Sequence, residues 1–117
     1  TIIILIFEGE FLIPKGSWVS YIPQIKSKGG SYQILETTLE NNFKLTPSVL
    51  DSYLSNSQVQ KHILVLNSPN NPTGAVYSDA EYQSLATVCR KHKILVLSDE
   101  IYSQINFSDE YSPSISR

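Results

Sequence analysis

Two short runs in the chain are apolar without interruption, ILVL at 63–66 and ILVL at 94–97. Each has the length of a strand, and strands that are apolar on both faces belong in a parallel sheet covered on both sides. Between them Ser78-Asp79-Ala80-Glu81 reads as a capping box, after which Tyr82, Leu85, Ala86 and Cys89 recur at i, i+3, i+4 and i+7. This predicts a helix whose last turn carries Arg90, Lys91, His92 and Lys93, cations placed at the negative end of the helix dipole.

The same alternation runs upstream. Phe11-Leu12-Ile13 is a short apolar strand stopped by Pro14, and Lys15-Gly16-Ser17 forms a loop into Trp18. From Trp18 to Lys28 the pattern is helical, with Val19, Ile22 and Ile25 at three-residue spacing, Pro23 within the first turns and Gly29-Gly30 as the stop. Residues 31–37 alternate as an edge strand would. Thr46 followed by Pro47 is an N-cap with proline at the first helical position, and Val49, Leu50, Tyr53 and Leu54 line one face of a helix that ends near Ser57. The predicted order is strand, helix, strand, helix, strand, helix, strand. Right-handed crossovers then give an α/β fold, a doubly wound, mainly parallel sheet with flanking helices. Ligands of such sheets bind beyond the carboxyl ends of the strands.

Composition narrows the possibilities further. With 117 residues the chain can bury roughly two-thirds of its unfolded surface, enough for one core, and neither a linker nor a repeat divides it. Nine Lys and Arg against 11 Asp and Glu leave a net charge of -2 and no basic cluster, so no nucleic acid and no anionic membrane is expected as a partner. The single Cys89 cannot form an internal disulfide and suits a small core hydrophobe in a reducing, cytoplasmic setting. The opening TIIILIF at 1–7 has no basic leader and falls short of the ~20 residues that span a bilayer, so it is expected to be neither signal nor anchor. Because the chain opens inside an apolar run, it is expected to be a fragment.

Candidate chemistry lies where the two apolar strands end. SPNNPTG at 68–74 follows one and LSDEIY at 97–102 closes the other. Two prolines flanking two asparagines restrict four consecutive backbones and aim short amides out of the loop, more than a connector requires. SPNNPTG, followed 28 residues on, from Asn71 to Asp99, by LSDEIY, resembles the class I and II aminotransferases of the pyridoxal-phosphate fold type I. GEFLIPKGSWVSY at 9–21 resembles that family's strand that delivers an aromatic residue to the cofactor ring.

The resemblance implies that residues 1–117 are part of the large, cofactor-binding domain, incomplete at both ends, of an enzyme using pyridoxal 5'-phosphate to move an amino group between an amino acid and a 2-keto acid. It implies that Asp99 keeps the pyridine nitrogen protonated, since a carboxylate favours a neighbouring cation. Asn71 and Tyr102 would donate to the ring oxygen, and Trp18 would stack on the ring. It further implies a cis peptide at Asn71-Pro72, a helix end at 1–7 where three isoleucines locally favour a strand, and a homodimer for the complete parent. The family's Schiff-base lysine, in a Ser-x-x-Lys context, its phosphate-gripping loop and its carboxylate-binding arginine have no counterpart among these residues, so the chain alone is expected to be inactive. No metal site is expected.

Other readings of the same residues stand beside these. Asp99 suits a cap for the following turn, Asn71 a solvated turn and Trp18 an ordinary core aromatic. His62 and His92, each flanked by lysine, are expected on the solvated surface, and Glu100 on the far side of the turn from Asp99. The sequon Asn106-Phe107-Ser108 carries no expectation without a secretory signal. ILVLSDE at 94–100 also has the form of a magnesium-binding Walker B segment, although no GxxxxGK[ST] loop accompanies it. A catalytically dead remnant of the cofactor enzyme is the remaining alternative.

Overall fold

The computed structural model describes residue 4, residues 6–105 and residues 113–116. Its elements are β1 (Glu10–Pro14), α1 (Tyr21–Ser27), β2 (Ser31–Leu35), a 3-10 turn (Leu39–Asn41), α2 (Pro47–Asn56), β3 (His62–Asn67), α3 (Asp79–His92) and β4 (Leu95–Asp99). The strands form one parallel sheet in the order β2-β1-β3-β4. From β1 the chain moves outward to β2, then returns past β1 to β3 and on to β4. The direction of winding therefore reverses between β1 and β3, as in a doubly wound sheet.

Two cores flank the sheet. Leu12, Leu64, Leu66 and Val96 face α2 and α3, meeting Leu50, Leu54, Tyr82 and Leu85. Phe11, Ile13, Ile63, Val65 and Leu97 face the other way, meeting Tyr21 and Ile25 of α1. Successive strand residues thus feed opposite cores, the consequence of a two-residue side-chain period.

The helix ends follow from local chemistry. Thr46 Oγ1 accepts from the Val49 N–H at 3.4 Å with Pro47 opening α2. At α3, Ser78 Oγ accepts from the Glu81 N–H at 3.3 Å while Glu81 Oε2 accepts from the Ser78 N–H at 2.7 Å, which completes the capping box. α1 is shorter than the expected span from Trp18, and Pro23 explains why. Only the first turn of a helix tolerates a missing N–H, so a proline at 23 cannot lie deep inside a helix begun at 18. Gly29, at φ +74°, then stops α1 in the left-handed conformation.

Other expectations are corrected. β4, expected to be covered on both faces, has Leu95 56% exposed, because among the described residues β4 pairs only with β3. His62, expected on the surface, is 7% exposed. It opens β3 opposite Glu10, with Nε2 3.0 Å from Ser57 Oγ and 3.4 Å from Glu10 Oε2. Tyr53 donates to the same Glu10 oxygen at 2.5 Å, and burial first and Glu10 second push its phenol up to about 12. His92 is half-buried, its Nε2 2.6 Å from Asp51 Oδ1. Glu10 and Asp51 are distant in sequence from these histidines, so a short lysine-flanked string does not reveal the contacts.

Cys89 is buried on α3, as expected, and burial pushes its thiol up to about 11. Ile4 and Ile6 have helical backbone, in the sense the family pattern implies, while residues 1–3 and 5 of the opening run lie outside the described residues. The sequon at 106–108 also lies outside them. Among the described residues no helix is long and apolar enough to cross a membrane.

Burial lowers the pKa of His62, more than Glu10 raises it. As pH falls below the ordinary value of about 6.5, the unfolded chain binds a proton that folded His62 resists, so stability declines towards the lowered value. His62→Gln is expected to flatten the fall in unfolding free energy between about pH 7 and pH 5, measured by urea denaturation. An unchanged slope would refute the buried neutral imidazole.

Candidate functional site

Three strand ends converge where the winding reverses. β1 ends at Pro14 and leads through a turn to Trp18 and Tyr21, β3 ends at Asn67 and runs into SPNNPTG, and β4 ends at Asp99. The register pairs Asn67 directly with Asp99. A turn continues from Asp99, closed by the Ser103 N–H on the Glu100 carbonyl at 2.9 Å, and carries Tyr102.

Trp18, Asn71, Asp99 and Tyr102 line one cavity of about 280 Å³, together with Tyr21, Asn67 and Ile101. All four residues singled out in the sequence are thereby brought together. Asn71 Nδ2 donates to the Tyr102 hydroxyl at 3.3 Å. Trp18 is 39% exposed, with its ring edge-to-face against Tyr21 at 5.4 Å between centroids, so it is no ordinary core aromatic. Asp99 combines two of its readings: Oδ1 caps the turn by accepting from the Ile101 N–H at 3.3 Å, while the carboxylate also lines the cavity. Glu100 does not line it; its Oε1 accepts from the hydroxyls of Ser98 at 2.8 Å and Ser114 at 2.5 Å.

The loop is held by its own amides. Asn70 Nδ2 donates to Thr73 Oγ1 at 2.6 Å and to the Gly16 carbonyl at 3.1 Å, tying SPNNPTG to the loop after β1. The peptide bonds preceding both Pro69 and Pro72 are cis, the second as expected and the first unforeseen.

Two further residues were missed in the sequence. Tyr21 donates to Asp99 Oδ2 at 2.5 Å. Burial first, then the hydrogen bond and charge of Asp99, drive its phenol well above the ordinary range, so it remains a protonated donor. Asn67 closes an otherwise apolar strand and bonds both neighbouring segments, its Nδ2 donating to the Asp99 carbonyl at 2.9 Å and its Oδ1 accepting from the Asn71 N–H at 2.8 Å. Signals for both existed: Tyr21 lies three residues beyond Trp18, and Asn67 is the polar residue ending ILVL. Among the described residues no cluster of His, Cys, Asp or Glu could hold a metal ion.

The cavity thus offers a carboxylate, two neutral donors and an aromatic ring to a single small molecule. Comparison with known proteins places the chain in a family. The family described as Aminotransferase class I and II matches residues 1–115, and the chain belongs to it. Over 115 residues it is 38% identical to an aspartate aminotransferase of Bacillus subtilis, covering 98% of this chain and 28% of that protein. It is 40% identical over 101 residues to an asparagine–oxo-acid transaminase of Streptococcus mutans, covering 86% of this chain and 25% of the relative. The solved aspartate aminotransferase from Rhizobium meliloti superimposes with a TM-score of 0.86 at 25% identity, over 97% of this chain and 28% of its own. An aromatic aminotransferase from Pyrococcus horikoshii does so with a TM-score of 0.79 at 32% identity, over 97% of this chain and 30% of its own. The chain therefore spans little more than a quarter of the length of these proteins. Family membership displaces the Walker B reading of ILVLSDE, because the Asp of that run lies beside SPNNPTG in an aminotransferase frame.

Tyr21→Phe removes a hydrogen bond to a charged group and is expected to lower the unfolding free energy by about 1.5–3 kcal/mol. In an Asp99→Ala background the same change is expected to cost less. A double-mutant cycle in urea measures the coupling, and strict additivity would show that the phenol and the carboxylate do not interact.

Proposed function

We propose that residues 1–117 are part of the cofactor-binding large domain, incomplete at both ends, of an aminotransferase that uses pyridoxal 5'-phosphate. One observation carries this reading: Asp99 and Asn71 reach one cavity from the ends of two adjacent strands, with Tyr102 and Trp18 beside them. The residues fit the cofactor's chemistry. Its pyridine nitrogen is basic, its ring oxygen is anionic, and its ring is flat and apolar on both faces. The site has a carboxylate, two neutral donors and an indole to match.

Bound there, pyridoxal phosphate supplies an electron sink for the pair left when an amino acid loses its alpha proton. Asp99 holds a proton at the neighbouring heteroaromatic nitrogen, since a carboxylate within about 4–6 Å stabilises a cation. Asn71 Nδ2 and the Tyr102 hydroxyl would donate to the ring oxygen and orient the ring. Trp18 covers one face and excludes water, which strengthens both polar contacts. Tyr21 restrains the Asp99 carboxylate through Oδ2. The substrates are an amino acid and a 2-keto acid, with L-aspartate the first to test because several relatives are aspartate aminotransferases. The complete protein is proposed to act as a cytoplasmic homodimer without nucleic-acid or membrane partners.

The test uses the full-length protein. Titration with pyridoxal phosphate, followed by absorbance, is expected to show saturable binding, and L-aspartate with a 2-keto acid to give amino transfer. Asp99→Ala is expected to lower the transfer rate on the order of 100-fold or more, the scale of removing an electrostatic contact at a reacting centre. Full-length protein that ignores the cofactor would overturn the proposal. Binding without transfer would reduce it to a non-catalytic cofactor binder.

A further inference from the structure

We infer that Asn67 is a positioning residue whose side-chain amide sets the spacing between the Asp99 carboxylate and the Asn71 amide. The inference rests on the cofactor reading above and adds to it a residue that touches both contact-bearing backbones. Asn67 is 5% exposed and ends β3 opposite Asp99 in the parallel register. Its Nδ2 donates to the Asp99 carbonyl at 2.9 Å, its Oδ1 accepts from the Asn71 N–H at 2.8 Å, and the adjoining Ser68 N–H donates to the same Asp99 carbonyl at 3.1 Å.

The two partners demand opposite chemistry. Asp99 offers an acceptor and Asn71 a donor, so the group between them must donate on one side and accept on the other. A primary amide does both, and reversing it would set oxygen against oxygen and N–H against N–H. Burying an amide without partners is costly, but here both ends are satisfied by the two backbones whose separation matters. Asn71 in turn reaches Tyr102, so three of the four residues proposed to contact the cofactor are keyed to one buried side chain. A 1 Å misplacement of such groups can cost about 100-fold.

An Asn67→Asp substitution separates positioning from mere packing. The introduced carboxyl group, when protonated, reproduces both bonds, its O–H donating to the Asp99 carbonyl and its C=O accepting from the Asn71 N–H. When ionised, it sets negative charge against that carbonyl. Asp99, Tyr21 and Tyr102 line the same cavity and are present in every variant, so the ratio of variant to wild-type affinity at each pH removes their own titration and leaves the effect of the group at position 67, including its coupling to Asp99.

The experiment measures pyridoxal phosphate affinity of full-length wild type, Asn67→Asp and Asn67→Leu by equilibrium dialysis at about pH 5.5 and pH 8. Circular dichroism and thermal unfolding of the cofactor-free proteins verify that each is folded. Asn67→Asp is expected to bind within about 5-fold of wild type at the lower pH and about 100-fold more weakly at the higher one. Asn67→Leu is expected to bind weakly at both. If folded Asn67→Asp matches wild type at pH 8, or folded Asn67→Leu binds as tightly as wild type, Asn67 does not position the site. If wild type itself binds no cofactor, the underlying reading fails first.

Discussion

The polar residues at the two ends of β3 fix the register on which the site depends. β3 is buried from His62 to Asn67 and paired on both sides, with β1 and with β4. Hydrophobicity alone cannot choose its register. In a strand with one wet face, a slip of one residue drives apolar groups into water. In β3, Ile63 and Val65 would merely exchange places with Leu64 and Leu66 between two apolar cores. What distinguishes the correct register is His62 beside Ser57 and Glu10 at one end, and Asn67 between Asp99 and Asn71 at the other. A slip would leave those groups buried without partners, each at a cost of about 1–3 kcal/mol.

β3 therefore has polar clasps at both ends and apolar packing between them. The clasp at the amino ends of the strands joins Glu10, Tyr53, Ser57 and His62 and is closed, with the His62 and Glu10 side chains only 6% and 13% exposed. The clasp at the carboxyl ends opens into the space lined by Trp18, Asn71, Asp99 and Tyr102. That asymmetry follows from topology, because the crevice of a doubly wound sheet lies where the winding reverses and at the carboxyl ends.

Much of this was legible in the sequence, for physical reasons. Strand and helix periods differ, the caps at Thr46 and Ser78 are local, and the two motifs that line the cavity each lie within a few residues of a strand end. The convergence of Asp99 with Asn71 was what the family resemblance of SPNNPTG and LSDEIY implied, and both motifs leave strands at their carboxyl ends. What remained hidden depends on contacts across the fold. Tyr21 reads as an ordinary helix residue until its hydroxyl is seen on Asp99, 78 positions away. His62 reads as surface because a lysine precedes it, although pairing with β1 buries it. β4 looks like a central strand because its composition is that of one, yet its partial exposure depends on which neighbours cover it.

The most direct measurement is the ¹⁵N resonance of pyridoxal phosphate labelled at its ring nitrogen and bound to the full-length protein. A signal in the protonated, pyridinium range across about pH 6 to 9, which moves to the neutral range in Asp99→Ala, is expected from a carboxylate held against that nitrogen. A neutral-range signal in the wild type, or one indifferent to the loss of Asp99, would contradict it.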